Sequence, residues 1–229
     1  VAKAVTVLPP SNFRNAGQIY VSPARFLVHD SVFDRFVEGF TTFAKSVKVG
    51  GGLDPETKMG PLIHGRRLDA VTALAADAES SGATLRADGK RIGNQGNFFQ
   101  PTVFTEVPLT ARIMNEEPFG PVALINRFSD DEEAPTEANR LPYGLAAYAY
   151  TRPAERVARV SNGVESGMTS INHHGLARAD GDPVAIALVE EALMHLGRRL
   201  ARDLDPADVE TDDAETADAA GGESAGPRR

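Results

Sequence analysis

Asn12-Phe13-Arg14-Asn15-Ala16-Gly17-Gln18-Ile19-Tyr20-Val21-Ser22-Pro23 sets a polar, glycine-containing loop just before the apolar run Phe26, Leu27 and Val28. A polar loop feeding a strand is where a rigid scaffold can present an active-site group, although most such loops only connect elements. Residues 19–28 read as a short turn and then a strand ending at His29-Asp30. A helix follows, with Asp30 or Ser31 as its N-cap. Its apolar residues Val32, Phe33, Phe36, Val37, Phe40, Phe43, Ala44 and Val47 recur at three- and four-residue steps, marking one broad buried face. Gly50-Gly51-Gly52 is expected to end it, before a loop through Pro55, Gly60 and Pro61.

Further along, residues 64–80 predict a second helix with Leu68, Val71, Leu74 and Ala75 on its inner side. Residues 83–87 then suggest a strand that completes a strand–helix–strand pattern. Residues 98–104 and 122–125 are two more strand candidates. A helix near 131–140 tolerates Pro135 only in its first turn. Residues 145–150 read as a strand, 155–160 as helical and 168–172 as extended. Strands alternating with helices predict an α/β fold with a mostly parallel sheet flanked by helices. Gly89, Gly93 and Gly96 lack the strand–glycine–helix context of a dinucleotide fingerprint and read as a loop.

Hydrophobic residues make up 41% of the 229, enough for most of the chain to bury a core. The net charge of −8 is unevenly placed. Residues 203–229 hold nine acids against two bases, and the rest of the chain is close to neutral, so nothing suggests a nucleic-acid partner. There is no cysteine, which excludes disulfides and thiolate metal sites. No apolar run approaches the ~18–20 residues that span a bilayer, and the first residues lack a signal-peptide pattern. A soluble, cytoplasmic protein is the default expectation, with no membrane partner. Residues 184–201 read as an amphipathic helix, and 203–229, acidic and without aromatics, as a disordered tail. His173-His174 are adjacent on an extended segment and point to opposite faces, so no metal site is expected there, with Asp180 and Asp182 unfixed nearby.

Phe13-Arg14-Asn15-Ala16-Gly17-Gln18 resembles the aldehyde dehydrogenase signature, in which those residues precede an apolar residue and then the nucleophilic cysteine. Asn115-Glu116-Glu117-Pro118-Phe119-Gly120-Pro121-Val122 is similar to the family's Glu-Glu-x-Phe-Gly-Pro segment. Lys58-Met59-Gly60-Pro61, Phe99-Gln100-Pro101-Thr102-Val103, Leu141-Pro142-Tyr143-Gly144-Leu145 and Gly167-Met168 with Ile171-Asn172 follow in the family's order. The resemblance covers residues 10–177, and it looks closest to NAD-linked succinate-semialdehyde dehydrogenases of bacteria. It implies an aldehyde oxidation with NAD or NADP, on a small aldehyde such as succinate semialdehyde. In that family a thiolate attacks the aldehyde, hydride passes to the nicotinamide, and water hydrolyses the thioester.

By the same resemblance Tyr20 occupies the nucleophile position, Glu117 matches the carboxylate that binds the nicotinamide ribose, and Phe119 the aromatic beside the nicotinamide. Arg14 matches the arginine that holds a substrate's distal carboxylate. Asn15 and Gln18 are expected to shape the loop. A phenol, with an ordinary pKa near ~10, is only about 0.1% ionised at pH 7. An aromatic filling the old cavity is therefore preferred for Tyr20 over a catalytic role. Relative to the family, residues 1–178 read as a catalytic domain shortened at both ends: the cofactor-binding domain would precede the signature, and the Pro-Phe-Gly-Gly-x-Lys segment is missing after Ala177. An amphipathic helix over 183–202 and the tail over 203–229 complete the expected organisation. The expected outcome is an oxidoreductase by descent that is inactive as written, with doubtful cofactor binding. The alternatives are a non-catalytic interaction subunit, forming a homo- or hetero-oligomer with a full-length paralogue, and a degenerate gene fragment.

Overall fold

In the computed structural model, residues 1–174 are described. The expected helix over 183–202, the tail over 203–229, and Asp180 and Asp182 lie outside the described residues.

The strand after the signature loop is β1, Arg25–His29, with Phe26 and Val28 alternating into the core. Helix α2 runs Asp30–Ser46 and buries Phe33, Phe36, Phe40 and Ala44, whose spacing keeps them on one side. Its N-cap is His29 rather than Asp30 or Ser31: the imidazole Nδ1 accepts the Ser31 N–H at 3.2 Å. The helix also stops before the expected Gly50-Gly51-Gly52. Val47 turns extended, and Val49 then bridges Met59 in parallel, so a backbone pairing ends the helix before the glycines are reached.

Helix α3, Gly65–Ser80, is capped by His64, and buries Leu68, Val71, Leu74, Ala75 and Ala78. Strands β2, Thr84–Ala87, β3, Thr102–Thr105, and β4, Val122–Phe128, complete a sheet in the order β1-β4-β3-β2. β1 and β3 both run parallel to β4, with Arg25 opposite Leu124 and Thr102 opposite Val122. All four residues of β3 are buried, as befits a strand covered on both faces. β2 does not close a strand–helix–strand crossover onto β1. It is an edge strand antiparallel to β3, which a simple chain reversal through residues 88–101 permits. Beyond this sheet, helix α4 spans Glu133–Ala138, shorter than expected, with Pro135 in its first turn. β5, Ala146–Ala149, and β6, Met168–Ile171, form a separate parallel pair joined through α5, Ala154–Gly163.

One element was not foreseen. Helix α1, Ala2–Phe13, carries Pro9 and Pro10 inside it, where each removes a backbone donor and disfavours helix. Tertiary packing overrides that local cost. Ala4, Leu8 and Phe13 are buried, and α1 crosses α2 closely at Gly39, where a Cβ would lie 2.4 Å from Val5 Cγ1. Phe13 meets Phe40 edge-on at 5.8 Å, and Phe40 meets Phe26 at 4.8 Å, which joins α1, α2 and β1 through aromatic rings. No helix among the described residues is long and apolar enough to cross a membrane.

Candidate active-site cleft

The signature loop leaves α1 as a single tight turn, Arg14–Gly17, with Asn15, Ala16 and Gly17 all left-handed at φ 51°, 53° and 72°. Asn15 and Gln18 hold it closed from within. Asn15 Nδ2 donates to Gln18 O at 3.2 Å, and Gln18 Nε2 donates to Asn15 O at 3.0 Å. Gln18 Oε1 also accepts the Ile63 N–H at 2.9 Å. Asn12, buried at the end of α1, donates to Pro23 O at 2.6 Å and to Val122 O at 3.2 Å, fixing both ends of the loop to the start of β4.

Gly17 is where the two distant motifs meet. A Cβ built on it would sit 2.0 Å from Gly120 O, so the signature loop and the Glu-Glu-x-Phe-Gly-Pro loop touch backbone to backbone. The contact needs a residue with no side chain there.

A cleft of about 1050 Å³ opens beside this junction, lined by Tyr20, Glu116, Glu117 and Pro118, by β1 on one side and by β5 on the other. The structure thus brings Tyr20 and Glu117 onto one cleft. Arg14 and Phe119 do not line it. Arg14 is exposed on the loop, and Phe119 is half-buried at φ 37°, a left-handed conformation unusual for an aromatic residue. Tyr20 does not fill a cavity as expected. It sits in the turn closed by Ser22 N–H to Ile19 O and is 63% exposed, because the loop around it is held by other residues. Of the two acids, Glu116 is paired with Arg112 at 2.8 Å, and that hydrogen bond holds its carboxyl below the usual carboxylate value. Glu117 is exposed and has no ion-pair partner among the described residues.

Two groups of residues at the cleft went unread in the sequence. The first is a clamp at its edge: Arg25 of β1, which lines the cleft, pairs with Glu137 of α4 at 3.0 Å, and Arg140 pairs with the same carboxylate at 2.7 Å. Arg140 also donates to Met114 O at 3.0 Å, beside the Glu116 loop. Burial, more than any neighbour, lowers the Arg25 pKa, and Glu137 opposes that. The second is the tyrosines. All four in the protein, Tyr20, Tyr143, Tyr148 and Tyr150, line the cleft. Tyr148 and Tyr150, two residues apart at the end of a strand, carried a same-face signal that could have flagged them. Tyr148 donates to Val21 O at 3.1 Å, and the His174 ring packs against its ring, tilted by 37°, with centroids 4.2 Å apart. Burial first, and Tyr20 and Tyr150 after it, pushes the Tyr148 phenol from 10.0 up to about 12.

That shift has a sign. A phenol whose folded pKa lies above its unfolded value contributes stability that is fully present below the unfolded pKa and is lost as pH rises through the folded one. The urea midpoint is therefore expected to fall between about pH 10 and about pH 12. Tyr148→Phe should flatten part of that slope. Equal slopes in the two proteins would show that the ring is not held in the cleft.

The model of the aldehyde dehydrogenase family matches residues 1–185, and this chain belongs to that family. It is 44% identical over 162 residues to a probable succinate-semialdehyde dehydrogenase [NADP(+)] of Sinorhizobium fredii, covering 71% of this chain and 33% of that protein. It is 40% identical over 182 residues to a non-phosphorylating aspartate-semialdehyde dehydrogenase of Halomonas elongata, covering 80% and 36%. Among solved structures, an NADP-dependent enzyme of E. coli superimposes with a TM-score of 0.72 at 42% identity, over 75% of this chain and 36% of that one. The chain spans about a third of the length of the curated relatives it matches.

Proposed function

We propose that this chain carries an aldehyde dehydrogenase site that keeps its binding groups and has lost its covalent step. The observation that supports this most is the contact of Gly17 with Gly120, which sets Tyr20, at the nucleophile position, and Glu117 on one cleft. The exposed carboxylate of Glu117, with no ion-pair partner among the described residues, would suit hydrogen bonds from two ribose hydroxyls of NAD or NADP, and Phe119 takes the nicotinamide-side role by the same resemblance. When bound, that cofactor supplies a hydride acceptor. By the same resemblance Arg14, exposed on the signature loop although outside the cleft lining, is the group that would pair with the distal carboxylate of a short aldehyde acid such as succinate semialdehyde, the compound named for the Sinorhizobium relative. No side chain in the sequence can form a thioester, since there is no cysteine. Turnover by the usual route therefore stops before it starts.

The test is NAD(P)H formation by the purified chain with succinate semialdehyde. No formation above a protein-free blank is expected, and rates comparable to an intact family member would overturn the reading. Tyr20→Cys gives the chain a single thiol. It is expected to react with a thiol reagent at one equivalent per native chain, because position 20 is 63% exposed. A thiol that reacts only after unfolding would contradict that placement.

A second reading is a non-catalytic interaction subunit. It is supported by the open cleft, where β1 and β5 each end a sheet. Co-purification with a full-length paralogue would favour it.

A further inference from the structure

β1 ends the four-stranded sheet and β5 ends the two-stranded one, and the outer edge of each has no partner strand among the described residues. All five residues of β1 and all four of β5 line the same cleft, so the two bare edges bound it from opposite sides. They do not close on each other, although their surroundings are tied together. Tyr148 of β5 donates to Val21 O ahead of β1, and Arg156 of α5 pairs with Asp131, beyond the end of β4, at 2.7 Å. The β5–β6 side is also thinly covered: every residue of both strands is only half-buried, and α5 buries none of its residues. Parallel strands are ordinarily covered on both faces, and two strands alone are marginally stable.

What fits such a gap follows from its borders. Each bare edge presents backbone N–H and C=O groups that need partners. A helix has already used its own, and a small ligand offers too few. At about 1050 Å³ the cleft also exceeds the ~300–1,000 Å³ of ligand pockets. An extended strand has a bonding row on each side and can serve both edges at once. Leu8, Leu27, Val32, Leu145, Val160 and Val164 line the gap, which suits apolar side chains on that strand.

Charge specifies one end of it. Lys3, Arg35 and Arg152 are exposed, line the cleft and have no ion-pair partner among the described residues. β4 ends opposite His29, the last residue of β1, and the Asp131–Arg156 pair joins the chain just beyond it to the helix after β5, so the two edges end together. Arg152 follows β5, and Arg35 lies in the helix that begins where β1 ends. Lys3 belongs to the same end, because α1 runs from it to Asn12, which bonds Val122 at the opposite end, the start of β4. Glu116 and Glu117 lie toward that opposite end, where Tyr143, ahead of β5, donates to Asn115 O beside them. The three cations therefore complement acids at the C-terminal flank of a strand parallel to both edges.

We propose that the cleft between β1 and β5 binds a strand of another polypeptide, about as long as the five residues of β1, apolar and followed by acids, which pairs with both edges and joins the two sheets into one. This deepens the interaction-subunit reading and rests on it.

The probe is a synthetic peptide, Ser-Val-Ile-Val-Thr-Val-Asp-Asp, added to the 229-residue chain. The protein has no tryptophan and all four of its tyrosines line the cleft, so their emission follows binding of a peptide that has neither residue. A saturable change in emission is expected, and amides in β1 and β5 should exchange about tenfold or more slowly with peptide bound. A peptide with proline in place of its middle valine lacks a ladder donor and should bind at least about tenfold more weakly. One ending in Lys-Lys should bind roughly fivefold more weakly, and Arg35→Glu/Arg152→Glu, which changes two exposed side chains, should reverse that preference. No saturable binding of the Asp-ended peptide would overturn the proposal. So would equal binding of the proline peptide, or of the two charged versions, each measured on the parent chain alone. A self-associated chain that the peptide takes apart would assign the cleft to a second copy and also overturn it. Co-purification of a paralogue without peptide binding would keep the interaction-subunit reading and remove this one.

Discussion

Gly17→Ala is expected to lower the stability of the fold by about 3 kcal/mol, with about 1 from a Cβ in the left-handed region and the rest from overpacking. The backbone angle is the smaller part. Asn15 and Ala16, just before it, hold φ of 51° and 53° with side chains present. The larger part is collision, because the new Cβ would fall 2.0 Å from Gly120 O and 2.5 Å from Gly120 C, backbone atoms that cannot rotate away. Relief requires the two motif loops to separate, which would also move Tyr20 relative to Glu117. Gly52→Ala is the control: nothing lies within 4 Å of a Cβ there, and a change within about 0.5 kcal/mol is expected. Urea unfolding of both variants checks this. If Gly17→Ala were as mild as Gly52→Ala, the backbone contact between the motifs would not exist in solution.

Phe40→Ala should destabilise by about 3–5 kcal/mol, the range for truncating a fully buried aromatic. Phe40 is 0% exposed and its ring touches those of Phe13, Phe26 and Phe36, so the cavity would open where α1, α2 and β1 converge. Those elements surround the residue and have little freedom to collapse. A double-mutant cycle between Phe40→Leu and Phe13→Leu is expected to show coupling of roughly 0.5–1.5 kcal/mol for the edge-on pair. Additive effects would mean that α1 packs on α2 without that ring contact. Leu53, fully exposed on its loop, provides the contrast, with Leu53→Ala expected to be neutral within about 0.5 kcal/mol.

Elements with strong local patterns were legible in the sequence. The phenylalanine spacing of α2 and the continuous apolar run of β4 announced themselves because burial leaves a period in the chain. Helix α1 did not, since Pro9 and Pro10 argue locally against the helix that packing imposes. Pairing was also hidden: the partner of Arg25 is Leu124, and nothing near either residue encodes the other. The antiparallel set of β2 was lost for the same reason. At the candidate site, Tyr20 and Glu117 were found through resemblance alone. The Arg25–Glu137–Arg140 clamp was invisible because its members come from separate elements and look, one at a time, like ordinary surface charges. The exposure of Tyr20 was missed because its environment is set by hydrogen bonds of Asn12, Asn15 and Gln18, whose partners only the folded chain supplies.

Asn12 anchors the loop at both ends, while Asn15 and Gln18 brace its middle. Position 20 therefore bears almost none of the mechanical load of the segment that displays it. Chemistry and architecture are separable at this point of the fold. A side chain at position 20 can be exchanged without disturbing the hydrogen bonds that hold the loop in place.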